Sequence, residues 1–334
     1  MSELLRRQIL TAEMIEPGSG KLIRTPVEVR LDPLTGHSSR IVPERGLMPV
    51  SDFDLEAFAA KAEARCPFCA ERISELTPML PAAIDPAGRI VSGEAVLFPN
   101  LHAYSSHSCV SVYSPRRHYL PLGDLTDRLL ADNLAVQVSY ARAVIAADPE
   151  SCWASINANH MLPSGSSLFH PHLQGVVDAA PTTFQRLLAE VPAARFHGYL
   201  EAERRAGERY LGDTGAVQWL VSFAPLAPAE LRAFVLGVAS PAQLEGELVA
   251  ELAHGLALAL GAFGQMGFES FNLAIYGAPP GTAGYPLNLR LAARSNLRPF
   301  YRSDSTFLER LHWEGAVDLA PEDVAERIGG RFRG

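Results

Sequence analysis

The 334-residue chain contains no run of about 18 consecutive apolar residues, so hydropathy alone gives no expectation of a membrane span. Met1 to Arg30 mixes Glu, Arg and Lys with short apolar stretches and lacks a signal-peptide core, which sets the expectation of a cytoplasmic protein. Cysteine is scarce. Of four, two form a single CxxC, a pattern suited to a metal in a reducing compartment rather than to a disulfide framework. Positive charge is in deficit, with a net charge of −8, which argues against broad binding to nucleic acid or anionic membrane. A small anionic ligand is still allowed, since it needs only a local cavity of basic or N–H groups. Low-complexity tracts and long charge runs are absent too. What remains is ordinary for a folded protein, with 48% hydrophobic and 20% charged residues and length for one large domain or two of usual size.

The first 50 residues read as extended and turn-rich, with turns at Asp32-Pro33-Leu34-Thr35-Gly36 and Pro43-Glu44-Arg45-Gly46. Strands are predicted at 95–104 and Ser108–Ser114, then an amphipathic helix over Leu125–Ala147 and a strand at Trp153–Asn157. A loop leads into a further strand, His170–Val177. The order then recurs. Val235 to Pro241 ends at Ser-Pro as Val110 to Pro115 does, a helix follows at Leu244–Met266, and strands follow at Phe271–Tyr276 and Asn288–Ala293. Such self-similarity predicts two related α+β halves, divided as 1–190 and 191–334, with the charged, helix-prone Ala179–Gly215 connecting them. The second half lacks a His-Pro-His, so chemistry is expected in the first.

Cys66-Pro67-Phe68-Cys69 places two thiols on one tight turn, and with His118 and His170 the set becomes a closed Cys₂His₂ tetrahedron, a structural rather than catalytic zinc site. The competing reading is a reduced, metal-free cysteine pair with His118 at the surface after Arg116-Arg117. Cys109 and Cys152 lie in apolar runs and read as small core residues. His102, His107 and His160 are spare ligand candidates, each read first as polar filler.

The segment Ser164-Gly165-Ser166-Ser167-Leu168-Phe169-His170-Pro171-His172-Leu173-Gln174 carries the chemistry. On an extended strand His170, His172 and Gln174 would share one face. An unprotonated imidazole can attack phosphorus and form a covalent intermediate. Gln174 can donate to the phosphoryl oxygens, the Ser164–Ser167 turn can supply N–H and hydroxyl groups, and Asn157 and Asn159 can orient phosphate or ribose. A merely structural or metal-binding HxH strand is the alternative.

His170-Pro171-His172-Leu173-Gln174 behind Ser164–Ser167 resembles the active-site strand of the galactose-1-phosphate uridylyltransferase family, the transferase branch of the histidine-triad superfamily. The order of Asp32–Gly36, Pro43-Glu44-Arg45, the CxxC, Phe98-Pro99-Asn100, Ser114-Pro115 with His118, Asn159 and Tyr276-Gly277-Ala278-Pro279 extends the resemblance over most of the chain. It implies two histidine-triad-like halves, each an antiparallel sheet with a long helix. It implies His172 as the nucleophile that becomes nucleotidylated and Gln174 as partner of the transferred phosphoryl group. Asn159, Ser166 and Ser167 would serve the nucleotide phosphates, Asn100 the nucleoside and Arg45 a phosphate. Cys66, Cys69, His118 and His170 would hold one structural Zn²⁺. The activity implied is ping-pong nucleotidyl transfer between a nucleotide sugar and a sugar phosphate, in a homodimer with neither nucleic-acid nor membrane partners. Inorganic phosphate as acceptor, or nucleotide binding without turnover, are the alternatives.

The chain departs from the family's pattern at defined points. Leu173 stands where the family has Gly, and Met48 where a second arginine is expected. No histidine occurs in Tyr276–Pro279 or Leu289–Arg294, where several members build a second, iron-type site, so none is expected here. Near Trp313–Asp318 no counterpart of the hexose-associated glutamine is evident. Nucleotidyl chemistry is therefore the expectation, and galactose is not. Arg290, Arg294, Arg298 and Arg302 recur every four residues and read as a solvated basic edge in preference to a second phosphate site.

Overall fold

The structure is a computed structural model that describes residues 4–42, 53–299 and 303–333. The turn at Pro43–Gly46, with Arg45, as well as Met48 and Arg302, lies outside the described residues. Three N-terminal strands, β1 (Arg7–Ile15), β2 (Leu22–Leu31) and β3 (Ser38–Ile41), precede the helices α1 (Leu55–Glu63) and α2 (Ile73–Leu76). Then follow β4 (Ile90–Ser92), β5 (Ala95–Pro99), β6 (His107–Val112), the long α3 (Asp127–Ala147), β7 (Trp153–His160) and β8 (His172–Asp178). After α4 (Thr183–Ala189) and α5 (Ala193–Ala206) come β9 (Tyr210–Thr214), β10 (Val217–Val221), β11 (Leu231–Val235), the long α6 (Gly246–Gln265), β12 (Ser270–Tyr276) and β13 (Leu287–Arg294). The chain closes with β14 (Gly315–Val317) and α7 (Pro321–Ile328).

Ten strands form one antiparallel sheet in the order β4-β5-β6-β8-β7-β12-β13-β11-β10-β9. Read inward from either edge, the two halves have the same order, and each long helix joins the corresponding pair of strands, α3 from β6 to β7 and α6 from β11 to β12. Both sets of strands therefore lie in a single sheet. Their seam is the antiparallel pair β7–β12, with Ile156 opposite Ile275 and Asn159 opposite Asn272. Gln185 of α4 stitches the seam from outside, its Nε2 donating to Ala154 O at 3.0 Å and Gly277 O at 2.7 Å.

Both long helices lie on one face of this sheet. Thr126 caps α3 by accepting from Leu129 N, and Leu130, Leu134 and Val138 recur every fourth residue to bury one stripe. Asn133 and Gln137 lie buried in the same helix and tie it to β6, donating to Ser111 O at 3.2 Å and Ser111 Oγ at 2.7 Å. On α6, Leu252, Leu256, Leu260 and Phe263 meet Leu289, Leu291, Phe271 and Ile275 in the largest core cluster, where each side chain contributes about 1.5–3 kcal/mol. This helix is long and apolar enough to cross a membrane by length and composition, and half of its apolar window is packed against the rest of the chain. Leu173, the departure beside the nucleophile, points into this core and is 1% exposed.

The other face is divided. Over the second half it is covered by α4, α5 and a four-stranded sheet, β1-β2-β3-β14. The Asp32–Gly36 turn seats there: Asp32 Oδ1 accepts from Leu34 N and Thr35 N, while Oδ2 accepts from Arg232 Nη1 and Arg290 Nη2, both at 3.0 Å. Arg290 also pairs with Glu230, and all four charges are at most 5% exposed. Burial would raise the Asp32 pKa, but the two guanidinium groups hold it well below the usual carboxylate range. Arg290 thus belongs to a buried ion network rather than a solvated edge, and Arg294 pairs with Asp304. The four-residue spacing does not mark a helix either, since both lie on β13.

Two strand ends also differ from expectation. β5 stops at Pro99 because Asn100 Oδ1 accepts from His102 N at 3.1 Å, an Asx turn that breaks the strand. β8 begins at His172 rather than His170, since Pro171 has no N–H to give the ladder.

Candidate active site and metal centre

The CxxC turn, Ser114–His118 and the entry to β8 converge behind β6. Cys66 Sγ lies 3.6 Å from His170 Nδ1, and Cys69 Sγ lies 3.4 Å from His118 Nδ1 and 3.7 Å from His170 Nδ1. All four residues are buried, and their four donor atoms fall within 4.8 Å of one another. Bonds of about 2.3 Å to sulfur and about 2.0–2.1 Å to nitrogen at tetrahedral angles require S···N separations of about 3.5 Å, so this donor set fits zinc. His170 Nε2 lies 2.9 Å from Ser114 O, a contact in which the ring must donate, leaving Nδ1 as the free lone pair. Burial lowers His170 to about 4 and also lowers His118, so both imidazoles are neutral, as ligands must be. Burial and the adjacent Cys66 push the Cys69 thiol up to about 12, and a cation would have to replace that proton. With four protein donors, no coordination position is left for substrate.

His172 stands two residues beyond a ligand. Its Nδ1 is 2.8 Å from His170 O; because a carbonyl only accepts, Nδ1 carries the proton and Nε2 keeps its lone pair. Burial lowers the His172 pKa, offset in part by that hydrogen bond, and the ring is neutral near pH 7. Phe68, between the two cysteines, meets His172 edge to face at 5.5 Å and Phe98 at 5.2 Å.

The strand alternation then decides what shares the face of His172. In β8, Gln174 is half-buried on the same side while Leu173 and Gly175 face the helices. In β7, Asn157 and Asn159 are half-buried, and Ile156 and Ala158 are core. Asn157 stands opposite Gln174 as the last pair of this ladder, and Asn159 and His172 each lie two residues beyond it, in the same direction and on the same face. Asn157 Nδ2 donates to Gln174 O at 3.4 Å and Ser155 Oγ at 3.0 Å.

The Ser164–Ser167 turn is built mostly for itself. Ser164 Oγ contacts His160 O and Met161 O, Ser166 is buried with its hydroxyl donating to Leu168 O at 2.6 Å, and Ser167 is exposed. Gly165 takes φ +95°, a left-handed conformation that glycine alone adopts without strain. Asn100 is half-buried after β5, and its Nδ2 is buried without a partner among the described residues. Arg45 lies outside them.

One set of residues escaped the sequence reading. Asn272 of β12 sits opposite Asn159, donating its Nδ2 to Asn159 Oδ1 at 2.7 Å and Ser164 O at 2.9 Å. Arg294 of β13 donates to Asn272 Oδ1 and grips Asp304 through Nε at 2.9 Å and through Nη2. A signal was available: Ser155-Ile156-Asn157 is echoed by Ser270-Phe271-Asn272 in the second half.

No protein-family model matches the chain. An uncharacterized protein of Archaeoglobus fulgidus is 29% identical over 338 residues, covering 97% of each chain. Among solved structures, an ADP-glucose phosphorylase from Arabidopsis thaliana with bound ADP-glucose superposes with a TM-score of 0.66 at 17% identity, over 91% of this chain and 98% of that one. A uridylyltransferase superposes with a TM-score of 0.59 at 20% identity, over 91% and 98%. The chain is thus built, across nearly its whole length, on the fold that this phosphorylase and this uridylyltransferase share.

Proposed function

We propose that the protein is a nucleotidyltransferase acting on a nucleotide sugar through a nucleotidyl-histidine intermediate, with His172 as the nucleophile. The observation that carries this reading is the hydrogen bond from His172 Nδ1 to His170 O, which commits the proton and leaves Nε2 as a lone pair on a face shared with Gln174 and Asn159. Nε2 attacks the α-phosphorus; an N–P bond forms as the bond to the sugar-phosphate oxygen breaks, and the sugar phosphate leaves. A phosphate oxygen of the acceptor then attacks the same phosphorus, and the electrons of the N–P bond return to Nε2. Gln174 and Asn159 donate to the phosphoryl oxygens in both steps. Ser167 and the N–H groups of its turn line the phosphate path, and Asn100, with its free amide donor, and Arg45 serve the nucleoside and phosphate ends. One Zn²⁺ held by Cys66, Cys69, His118 and His170 would fix the entry to the nucleophile strand. The acceptor bears a phosphate group, either a sugar phosphate or inorganic phosphate; the shared fold with an ADP-glucose phosphorylase supports keeping the second. We also place the protein in the cytoplasm as a homodimer. The β1–β2 hairpin supports a self-interface, since Ile9, Met14, Ile15 and Leu22 are exposed on it.

The test is intact-protein mass spectrometry after incubation with UDP-glucose and ADP-glucose. A nucleotide-sized mass increase, absent from His172→Asn, is expected. Discharge by inorganic phosphate but not by hexose phosphates would assign a phosphorylase. Nucleotide binding with no adduct from any donor would leave a non-catalytic nucleotide-binding protein.

A further inference from the structure

The second half has no His-Pro-His, yet it reaches into the first half's site along one row of side chains. Across β7 and β12 the register sets Asn159 opposite Asn272, and Arg294 of β13 stands diagonally beyond Asn272; His172 and Asn159 each lie two residues past the last β7–β8 pair, Asn157 with Gln174, in the same direction and on the same face. Each link of this row has a defined polarity. A guanidinium has only donors, so the Arg294 Nη1 contact forces Asn272 to turn its Oδ1 toward the arginine. The Asn272 Nδ2 must then face the other way, where it donates to Asn159 Oδ1 at 2.7 Å and to Ser164 O at 2.9 Å. Asn159, its oxygen engaged, has its Nδ2 donors left to offer on the face it shares with His172. The start of the row is fixed in turn, because Asp304 holds Arg294 through two oxygens and also accepts from Ser295 N at 2.8 Å.

We propose that Arg294 and Asn272 are positioning residues: they set the amide polarity of Asn159, so that a donor rather than an acceptor faces the phosphoryl group at His172. The proposal rests on the nucleotidyl-transfer reading above. An asparagine whose oxygen is not held elsewhere must first turn its amide before it can donate, since a carbonyl facing a phosphoryl oxygen repels it. Asn272 also grips the carbonyl of Ser164 at the head of the phosphate turn, so one side chain registers both the strand and the turn against each other. The second half is then a template for the first.

The experiment compares Asn272→Asp, Arg294→Met, Asn159→Ala and the double variant Asn159→Ala/Asn272→Asp. The rate of nucleotidyl adduct formation is measured in a single turnover, with thermal midpoints alongside. Asn272→Asp keeps the pairing with Arg294 but removes the donor to Asn159 and Ser164, and the thermal midpoint reports any loss of fold. The expected result is an adduct rate about tenfold lower in each single variant, with nucleotide-sugar affinity changed less than the rate. The double variant should be no slower than Asn159→Ala alone, a coupling that a merely structural role would not produce. Effects that multiply in the double variant, or losses confined to the thermal midpoint, would overturn the relay and leave the transfer reading intact. Should the wild type bind ADP or UDP yet form no adduct, the transfer reading fails. The same cycle in calorimetric nucleotide affinity then decides the relay: coupled losses uphold it, and multiplying losses overturn it. A wild type that neither binds nucleotide nor forms an adduct overturns both.

Discussion

Phe68 belongs to the metal turn by sequence and to the nucleophile by contact. Its ring stands between Cys66 and Cys69 in the chain, and its edge meets His172 with centroids 5.5 Å apart at 78°. The residue that would bind a metal and the residue that would bind phosphorus are therefore joined twice, through His170 in the backbone and through Phe68 in packing.

Truncating that ring separates the two roles. An edge-to-face contact contributes about 0.5–1.5 kcal/mol, so Phe68→Ala should slow adduct formation by up to about tenfold. Zinc content should stay unchanged, because both thiols remain. A variant that loses zinc in parallel with rate would show Phe68 to be part of the metal turn's fold alone.

Cys66→Ser removes a ligand and should release the metal, read as zinc per protein by elemental analysis. Without the closed site the entry to β8 is free to shift, and a misplacement of about 1 Å costs about a hundredfold in rate. Unchanged zinc would refute the ligand set.

Asp32 should govern acid sensitivity. It is buried against Arg232 and Arg290 with its pKa held below the unfolded value. Its contribution is therefore present above about pH 4 and drains away as pH falls further through the folded-state pKa. Glu322, lowered to about 2 by Arg30 against the opposing effect of burial, acts in the same direction but is partly exposed and counts for less. Urea titrations should show the wild type losing stability from pH 4 downward. Asp32→Asn, which leaves Arg232 buried without a carboxylate and Arg290 with Glu230 alone, should lose about 3–5 kcal/mol at pH 7 and show a flatter acid limb.

At Gly255 two effects of opposite sign can be weighed. Alanine would gain about 1 kcal/mol in helix propensity at this position in α6. Its Cβ, however, would sit 2.3 Å from the Trp219 ring, which is fully buried and anchored by Nε1 donating to Thr214 Oγ1 at 2.9 Å. Overpacking costs about 1–3 kcal/mol. Gly255→Ala should therefore lower the urea midpoint; a raised midpoint would mean that Trp219 can move.

Much of the frame was legible because it is local. The periodicity of α3 and α6 and the alternation in β7 and β12 are set by residues within one element, and the His-Pro-His and CxxC carry their chemistry in their spacing. What was hidden depends on distance along the chain. Arg290 looked like part of a solvated edge because the carboxylate that buries it, Asp32, lies 258 residues away. Asn272 and Arg294 look like ordinary strand polars until the sheet sets them beside Asn159. The Ser164–Ser167 turn could be placed near phosphate, but not which hydroxyls it would keep for its own backbone.

The β7–β12 seam has one more consequence. A strand at the end of a sheet offers unpaired N–H and C=O groups to any passing chain. Each half, taken alone, would end in such an edge at the strand that carries its asparagines, and the same hydrogen bonds that hold Asn159 opposite Asn272 are the ones that close it. Neither half is a self-sufficient body: each is the other's missing strand.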